Sequence, residues 1–146
     1  MSPERTRAPL VYNATVGVPA ERVFEAFFRE PQRWLCRSGS VEARVGGELR
    51  LCFPDGCFAG RFVQCEPPTL ARFSWRMDGD ELPETMVVVR FQPDGDGTAL
   101  ELEHYGFGVG DQWDMLYVGC ARAWASYLKN LRAVVELGTD LREADE

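Results

Sequence analysis

Residues 111–137 constrain this chain more than any other stretch. They contain no proline and a single glycine, Gly119, and they place Trp113, Leu116, Tyr117, Cys120, Trp124, Tyr127, Leu131 and Val134 at helical spacing. At 3.6 residues per turn this predicts a helix of about seven turns with one apolar face. Gly138 is placed to end it, and the acidic segment TDLREADE beyond is expected to fray. A helix this long and this one-sided needs a broad apolar surface to lie against.

Residues 41–106 supply that surface. The segments VEARV, ELRLCF, CFAGRFVQCE, LARFSWRM, TMVVVRFQ and TALELEHYG are separated by Gly46-Gly47, Pro54-Asp55-Gly56, Pro67-Pro68, the 78–83 loop and PDGDG. Six strands joined by short turns imply an antiparallel meander, and residues 37–40 read as the loop before it. Leu49, Leu51 and Phe53 alternate with Glu48, Arg50 and Cys52, while Leu100, Leu102 and His104 alternate with Glu101, Glu103 and Tyr105, so one face is apolar. Upstream, residues 10–18 read as a strand. Pro19 then opens a helix carrying Val23, Phe24, Phe27 and Phe28, and Pro31 restarts a second short helix that delivers Trp34.

The expected fold is therefore α+β of the helix-grip kind. A curved antiparallel sheet of about seven strands wraps around a long C-terminal helix, with two short helices after the first strand. Residues 10–138 form the domain, 1–9 an extended or disordered arm and 139–146 an acidic tail. Such an architecture tends to leave a cavity between sheet and helix. Aromatics make up 12% of the 146 residues, enough either to fill that space or to line it.

Charge narrows the partners. With 16 basic and 23 acidic residues the net charge is −7, and the short Arg5, Arg7 stretch is the largest basic grouping, which disfavours nucleic acid and anionic membranes. No apolar run approaches the roughly 20 residues of a bilayer span, and no apolar secretory segment follows the polar residues 1–9. Five cysteines without a Cys-x-x-Cys pair point away from a disulfide framework or structural zinc and towards a reducing cytoplasm. No cofactor or metal motif is present: the Gly-containing stretches fit turns rather than a phosphate loop, and the acidic residues lack calcium-loop spacing.

Five groups of polar or reactive residues need weighing. His104, the only histidine, points with Leu100 and Leu102 toward the apolar face; it has the intrinsic pKa of a general acid or base, but a buried histidine satisfied by hydrogen bonds is the simpler reading. Cys120 shares a helix face with Tyr117 and Trp124, and would act as a nucleophile only if His104 met it across the cavity. Cys52 and Cys57 flank a turn and could oxidise, though free thiols acting as small apolar groups are favoured. Arg61, Arg72, Arg76 and Arg90 read as an outward row facing Glu101 and Glu103, alternating with Phe73, Trp75 and Met77. Asp111 and Asp114 suit the positive end of the last helix as capping groups.

The chain also resembles a known group, the START-like (birch-pollen-allergen-like, SRPBCC) superfamily, and within it bacterial homologues of the heat-shock protein 90 ATPase activator. The resemblance spans about residues 10–139. It is carried by Pro19-Ala20-Glu21-Arg22-Val23-Phe24, Trp34, Val45-Gly46-Gly47-Glu48-Leu49, Asp55-Gly56, Gly60, Glu66-Pro67-Pro68, Trp75, Gly97-Thr98, Trp124 and Glu136-Leu137-Gly138. It implies a domain with an apolar pocket for a hydrophobic small molecule and no single reaction, since the superfamily includes carriers, cyclases and interaction modules. On this reading Trp34, Phe53, Phe58, Trp75, Tyr117, Cys120 and Trp124 are the expected lining, with His104 as the orienting polar group. A chaperone-associated interaction module and a cyclase- or hydrolase-like enzyme using His104 are the alternatives, and a homodimer is compatible with all three.

Overall fold

The computed structural model describes residues 6–142. The elements are β1 (Leu10–Val16), α1 (Ala20–Arg29), a 3-10 turn (Pro31–Arg33), β2 (Ser38–Val41), β3 (Glu48–Phe53), β4 (Gly56–Glu66), β5 (Leu70–Met77), β6 (Thr85–Asp94), β7 (Gly97–Tyr105) and α2 (Asp111–Leu137). The seven strands form one antiparallel sheet in the order β1-β7-β6-β5-β4-β3-β2, so the first strand closes against the last. This is the helix-grip arrangement that the alternation and the long helix predict.

Two details of the sheet differ from the expectation. The second strand is 38–41 rather than 41–45, because residues 42–47 fold back on themselves. Gly47 N donates to the Arg44 carbonyl at 2.8 Å, Gly46 has φ 81°, and a Cβ on Gly47 would lie 2.0 Å from the Glu42 carbonyl oxygen. Ser74, expected to face outward with Arg72 and Arg76, is buried. A register shift between Phe62 and Gln64 bends β4 against β5, and Ser74 Oγ accepts from Arg61 N at 3.0 Å beside that bulge. The strand crossing is so close that a Cβ on Gly60 would lie 1.8 Å from the Ser74 carbonyl oxygen.

The cysteines on the β3–β4 hairpin are also corrected. The Pro54-Asp55 turn sets the register Phe53↔Gly56, which puts Cys52 directly opposite Cys57, and the two are joined as a disulfide rather than standing as free thiols. Cys36, Cys65 and Cys120 remain free. Thiol titration of protein denatured without reductant is expected to count these three and to gain two more after reduction; a full count of five at the outset would remove the disulfide.

The core divides into two aromatic groups. Under α1, Phe24, Phe27, Phe28, Trp34, Phe62, Phe73 and Phe91 pack with centroid separations of 4.6–6.1 Å, and all are nearly or fully buried. Under the N-terminal half of α2 the packing is looser. Cys120, Trp124, Leu128, Leu131 and Val134 are buried, whereas Trp113, Leu116 and Tyr117 are only half-buried and Met115 is 82% exposed.

Both ends of the described part are fastened. Arg7 N donates to the Phe107 carbonyl at 2.9 Å, and the Arg7 guanidinium pairs with Asp114 and lies over the Tyr117 ring at 5.1 Å. Residues 6–9 thus form a bonded extended arm; residues 1–5 fall outside the described part. Asp114 therefore serves an ion pair, and no side chain caps α2, whose N-cap is Gly110. Gly138 ends α2 in the left-handed conformation, as expected.

Residues 139–142 do not fray. Buried Asn130 donates to the Trp34 carbonyl at 2.8 Å and accepts from Leu141 N at 2.7 Å, while Arg142 donates to the Cys36 carbonyl at 2.9 Å and pairs with Asp140. The acidic residues 143–146 lie outside the described part.

Candidate ligand-binding cavity

A cavity of about 1000 Å³ opens between the β3–β5 end of the sheet and the first half of α2. That is at the upper end of the roughly 300–1,000 Å³ of small-molecule sites. Phe53, Phe58 and Trp75 form its sheet wall, and Cys120, Trp124 and Tyr127 face them from the helix. The rings stand in a continuous chain: Phe53–Tyr127 at 5.7 Å, Phe53–Phe58 at 5.8 Å, Phe58 stacked on Trp75 at 4.8 Å, and Trp75–Trp124 at 5.5 Å. The space survives because the facing helix positions are small. Gly119 and Ala123 line it, and a Cβ on Gly119 would meet no atom within 4 Å.

Five of the expected lining residues, Phe53, Phe58, Trp75, Cys120 and Trp124, meet at this cavity. Trp34 lies elsewhere, fully buried beneath α1, where its indole N–H donates to the Ala26 carbonyl at 2.9 Å. Tyr117 sits on the other edge of the α2 stripe, against Phe107 at 5.1 Å, with its hydroxyl donating to the Ala8 carbonyl. Tyr127, part of the predicted helix face but not of the expected lining, takes its place. Helical spacing brings Tyr117 and Tyr127 onto one broad stripe; which edge of a stripe meets a void depends on the sheet beneath it.

His104 stands behind the wall rather than in it. It has no exposed surface. The Trp124 indole N–H donates to its Nδ1 at 3.0 Å, and because an indole can only donate, Nδ1 is the bare nitrogen. Nε2 then carries the proton and donates to Thr85 Oγ1 at 2.7 Å, whose hydroxyl donates on to the Trp75 carbonyl at 3.2 Å. Burial lowers the His104 pKa to about 3, which fixes the ring as neutral. Both nitrogens are engaged with protein, so His104 holds the two wall tryptophans in place and has no free site for proton transfer to a ligand.

Cys120 is similarly quiet. Burial pushes its thiol up to about 12, so the nucleophilic thiolate is suppressed at neutral pH. The arginines pair with Glu101 only in part: Arg90 meets Glu101 at 3.1 Å, while Arg61 pairs with Glu48 and Arg72 donates to the Tyr105 hydroxyl. One polar atom in the wall has no partner. The Trp75 indole Nε1 is buried and, among the described residues, lacks a hydrogen-bond acceptor, a state that ordinarily costs about 1–3 kcal/mol.

The mouth has a different character. It is formed by the Pro54–Gly56 turn, the 78–82 loop, and Gln112 and Met115 of α2. Asp55, Asp78, Asp80 and Glu81 are the charged residues along it.

Sheet order and gripped helix together define a START-like helix-grip domain. The chain belongs to the family described as Activator of Hsp90 ATPase homolog 1-like protein, whose family model matches residues 17–136. Among solved structures it is similar to CalU16 from Micromonospora echinospora, with 26% identity, a TM-score of 0.71, and coverage of 89% of this chain and 77% of that one. It is also similar to PFC0360w, an HSP90 activator from Plasmodium falciparum, with 25% identity, a TM-score of 0.73, and coverage of 89% and 96%. The Aha1 dimer from Colwellia psychrerythraea shares the fold at 16% identity and a TM-score of 0.75, over 91% of this chain and 99% of that one. No curated protein matches the sequence. No helix among the described residues is long and apolar enough to cross a membrane.

Proposed function

We propose that this domain binds an apolar, ring-containing small molecule between the β3–β5 end of the sheet and the first half of α2, without transforming it. The observation that carries the reading is the cavity itself: about 1000 Å³ walled by five aromatic rings and kept open by Gly119 and Ala123. Affinity would come from apolar burial at roughly 25 cal/mol per Å². The neutral, fully engaged His104 and the protonated Cys120 support binding over catalysis.

Native mass spectrometry of freshly purified protein tests for a retained ligand directly. A paired substitution tests its place. Gly119→Trp puts a ring into the cavity and is expected to weaken binding of a fluorescent apolar dye by about tenfold or more, the loss of two methylenes' worth of burial. Gly119→Ala is expected to leave dye affinity within about twofold and to stabilise the helix by about 0.8–1.0 kcal/mol. Equal dye affinity for Gly119→Trp and the parent protein would remove this cavity as the site.

A second reading, as a chaperone-associated module, draws on the family description and on the likeness to an HSP90 activator. Co-purification with HSP90 that survives moderate salt, alone or as a homodimer, would support it. We propose a cytoplasmic location from the cysteine usage of the sequence; the Cys52–Cys57 disulfide runs against it, because that compartment keeps such pairs as dithiols, and a thiol count of three in the freshly isolated protein would overturn the placement.

A further inference from the structure

We infer that the cavity selects apolar ligands carrying a positive charge at the solvent end and disfavours their carboxylate counterparts. The inference rests on the binding reading above and specifies the ligand class. Its first basis is the sign of the mouth. Asp55 comes from the β3–β4 turn and Asp78, Asp80 and Glu81 from the β5–β6 loop, and none of the residues lining the cavity is Lys, Arg or His.

Arg142, whose charge acts on the lining residue Tyr127, is matched by its own ion pair with Asp140, and two further guanidiniums lie just outside the lining. Arg50 pairs with Asp78, and Arg76 donates to the Asp80 backbone carbonyl at 3.0 Å. Counting both against the four carboxylates leaves two negative charges in excess, on a chain whose net charge is itself −7. From α2 the mouth receives only neutral Gln112 and Met115. Among the described residues Asp55 and Glu81 make no ion pair, so they are free to face a ligand.

The second basis is the wall. Aromatic faces attract cations, and the chain of rings from Tyr127 to Trp124 gives a positive group favourable surroundings as it enters. The third is the unpartnered Trp75 Nε1, a donor 5% exposed as a residue, in a ring that lines the cavity. Native proteins rarely leave such a group unmet; the atom itself has no accessible surface, so an acceptor on a bound molecule would meet it only after a small shift of the Trp75 ring. The carboxylates set the charge at the mouth, while the rings and this donor mark the interior as a place for a ligand.

Three probes with one ring system separate the claims: 2-naphthylmethanol, 2-naphthylmethylamine and 2-naphthoate, measured by isothermal titration calorimetry at neutral pH. The amine is expected to bind about tenfold tighter than the carboxylate, with the alcohol between them. The gap should shrink in about 0.5 M salt. It should also fall to about twofold in the double variant Asp55→Asn, Glu81→Gln, with the alcohol unaffected. Alcohol binding with amine and carboxylate equal, or with the carboxylate tighter, overturns the inference and leaves the cavity reading standing. Failure of all three probes overturns both.

Discussion

Replacing Trp34 by alanine is expected to destabilise the fold by about 3–5 kcal/mol, a large share of the roughly 5–15 kcal/mol that holds an ordinary domain together. The indole has no exposed surface, packs on Phe27 at 4.7 Å, and donates to the Ala26 carbonyl at the end of α1. Its loss leaves both a void and an unmet carbonyl. The Trp34 backbone carbonyl also receives Asn130 Nδ2, so a shift of the chain here would pass to the segment that ties residues 139–142 to the domain. Trp34→Phe keeps a ring and is expected to cost less, about 1–3 kcal/mol, for the missing donor and the smaller volume. Urea unfolding measures both. Because the Trp34 side chain is not part of the cavity lining, ligand affinity of the folded Trp34→Phe variant should match that of the parent protein. A Trp34→Ala change costing under about 1 kcal/mol would contradict this placement.

The fold was legible because its two periods are clean. Eight apolar residues at helical spacing specify α2, and strict alternation in ELRLCF and TALELEH specifies β3 and β7. What failed was decided by backbone contacts and register that hydrophobic periodicity does not encode. The site of β2 depends on Gly47 nesting against the Glu42 carbonyl, and the burial of Ser74 depends on a bulge in another strand. Cys52 and Cys57 were visible as flanks of a turn, but only the Phe53↔Gly56 register places them face to face.

The candidate site was legible in part for a related reason. Composition signals an excess of rings, and periodicity puts many of them inward. Neither says that those under α1 fill their space while those under the first half of α2 line a cavity. That division follows from side-chain size at Gly119 and Ala123 and from what lies beneath each part of the helix stripe, with Tyr127 at the cavity and Tyr117 against Phe107. The partners of His104 come from β6 and α2, at sequence separations of 19 and 20, beyond any local pattern.

Acidification is expected to expose that buried histidine. In the unfolded chain His104 titrates near 6.5, whereas in the fold burial holds it at about 3. Between these values the unfolded state takes up a proton that the native state does not, so stability falls as pH falls below about 6.5. At 1.36 kcal/mol per pH unit, His104 accounts for a loss of about 2 kcal/mol by pH 5. The carboxylates held low by arginines and backbone donors, Glu30, Glu136 and Asp140, contribute little in this window, because they lose stability only as pH drops below their ordinary values of 4.5 and 3.8. Urea unfolding between about pH 7 and pH 5 therefore isolates the histidine. His104→Gln should be less stable at neutral pH, since the glutamine amide cannot meet both the Trp124 N–H and Thr85 Oγ1 with the geometry of the ring, but its stability should vary less over the same range. Parallel pH profiles for the two proteins, or an NMR titration of the native imidazole near 6.5, would refute the neutral, engaged histidine and reopen its use as an acid or base. A steeper profile for the parent protein would instead tie the two tryptophans of the cavity wall to one uncharged ring, and a ligand held against that wall should be released as the protein unfolds in acid.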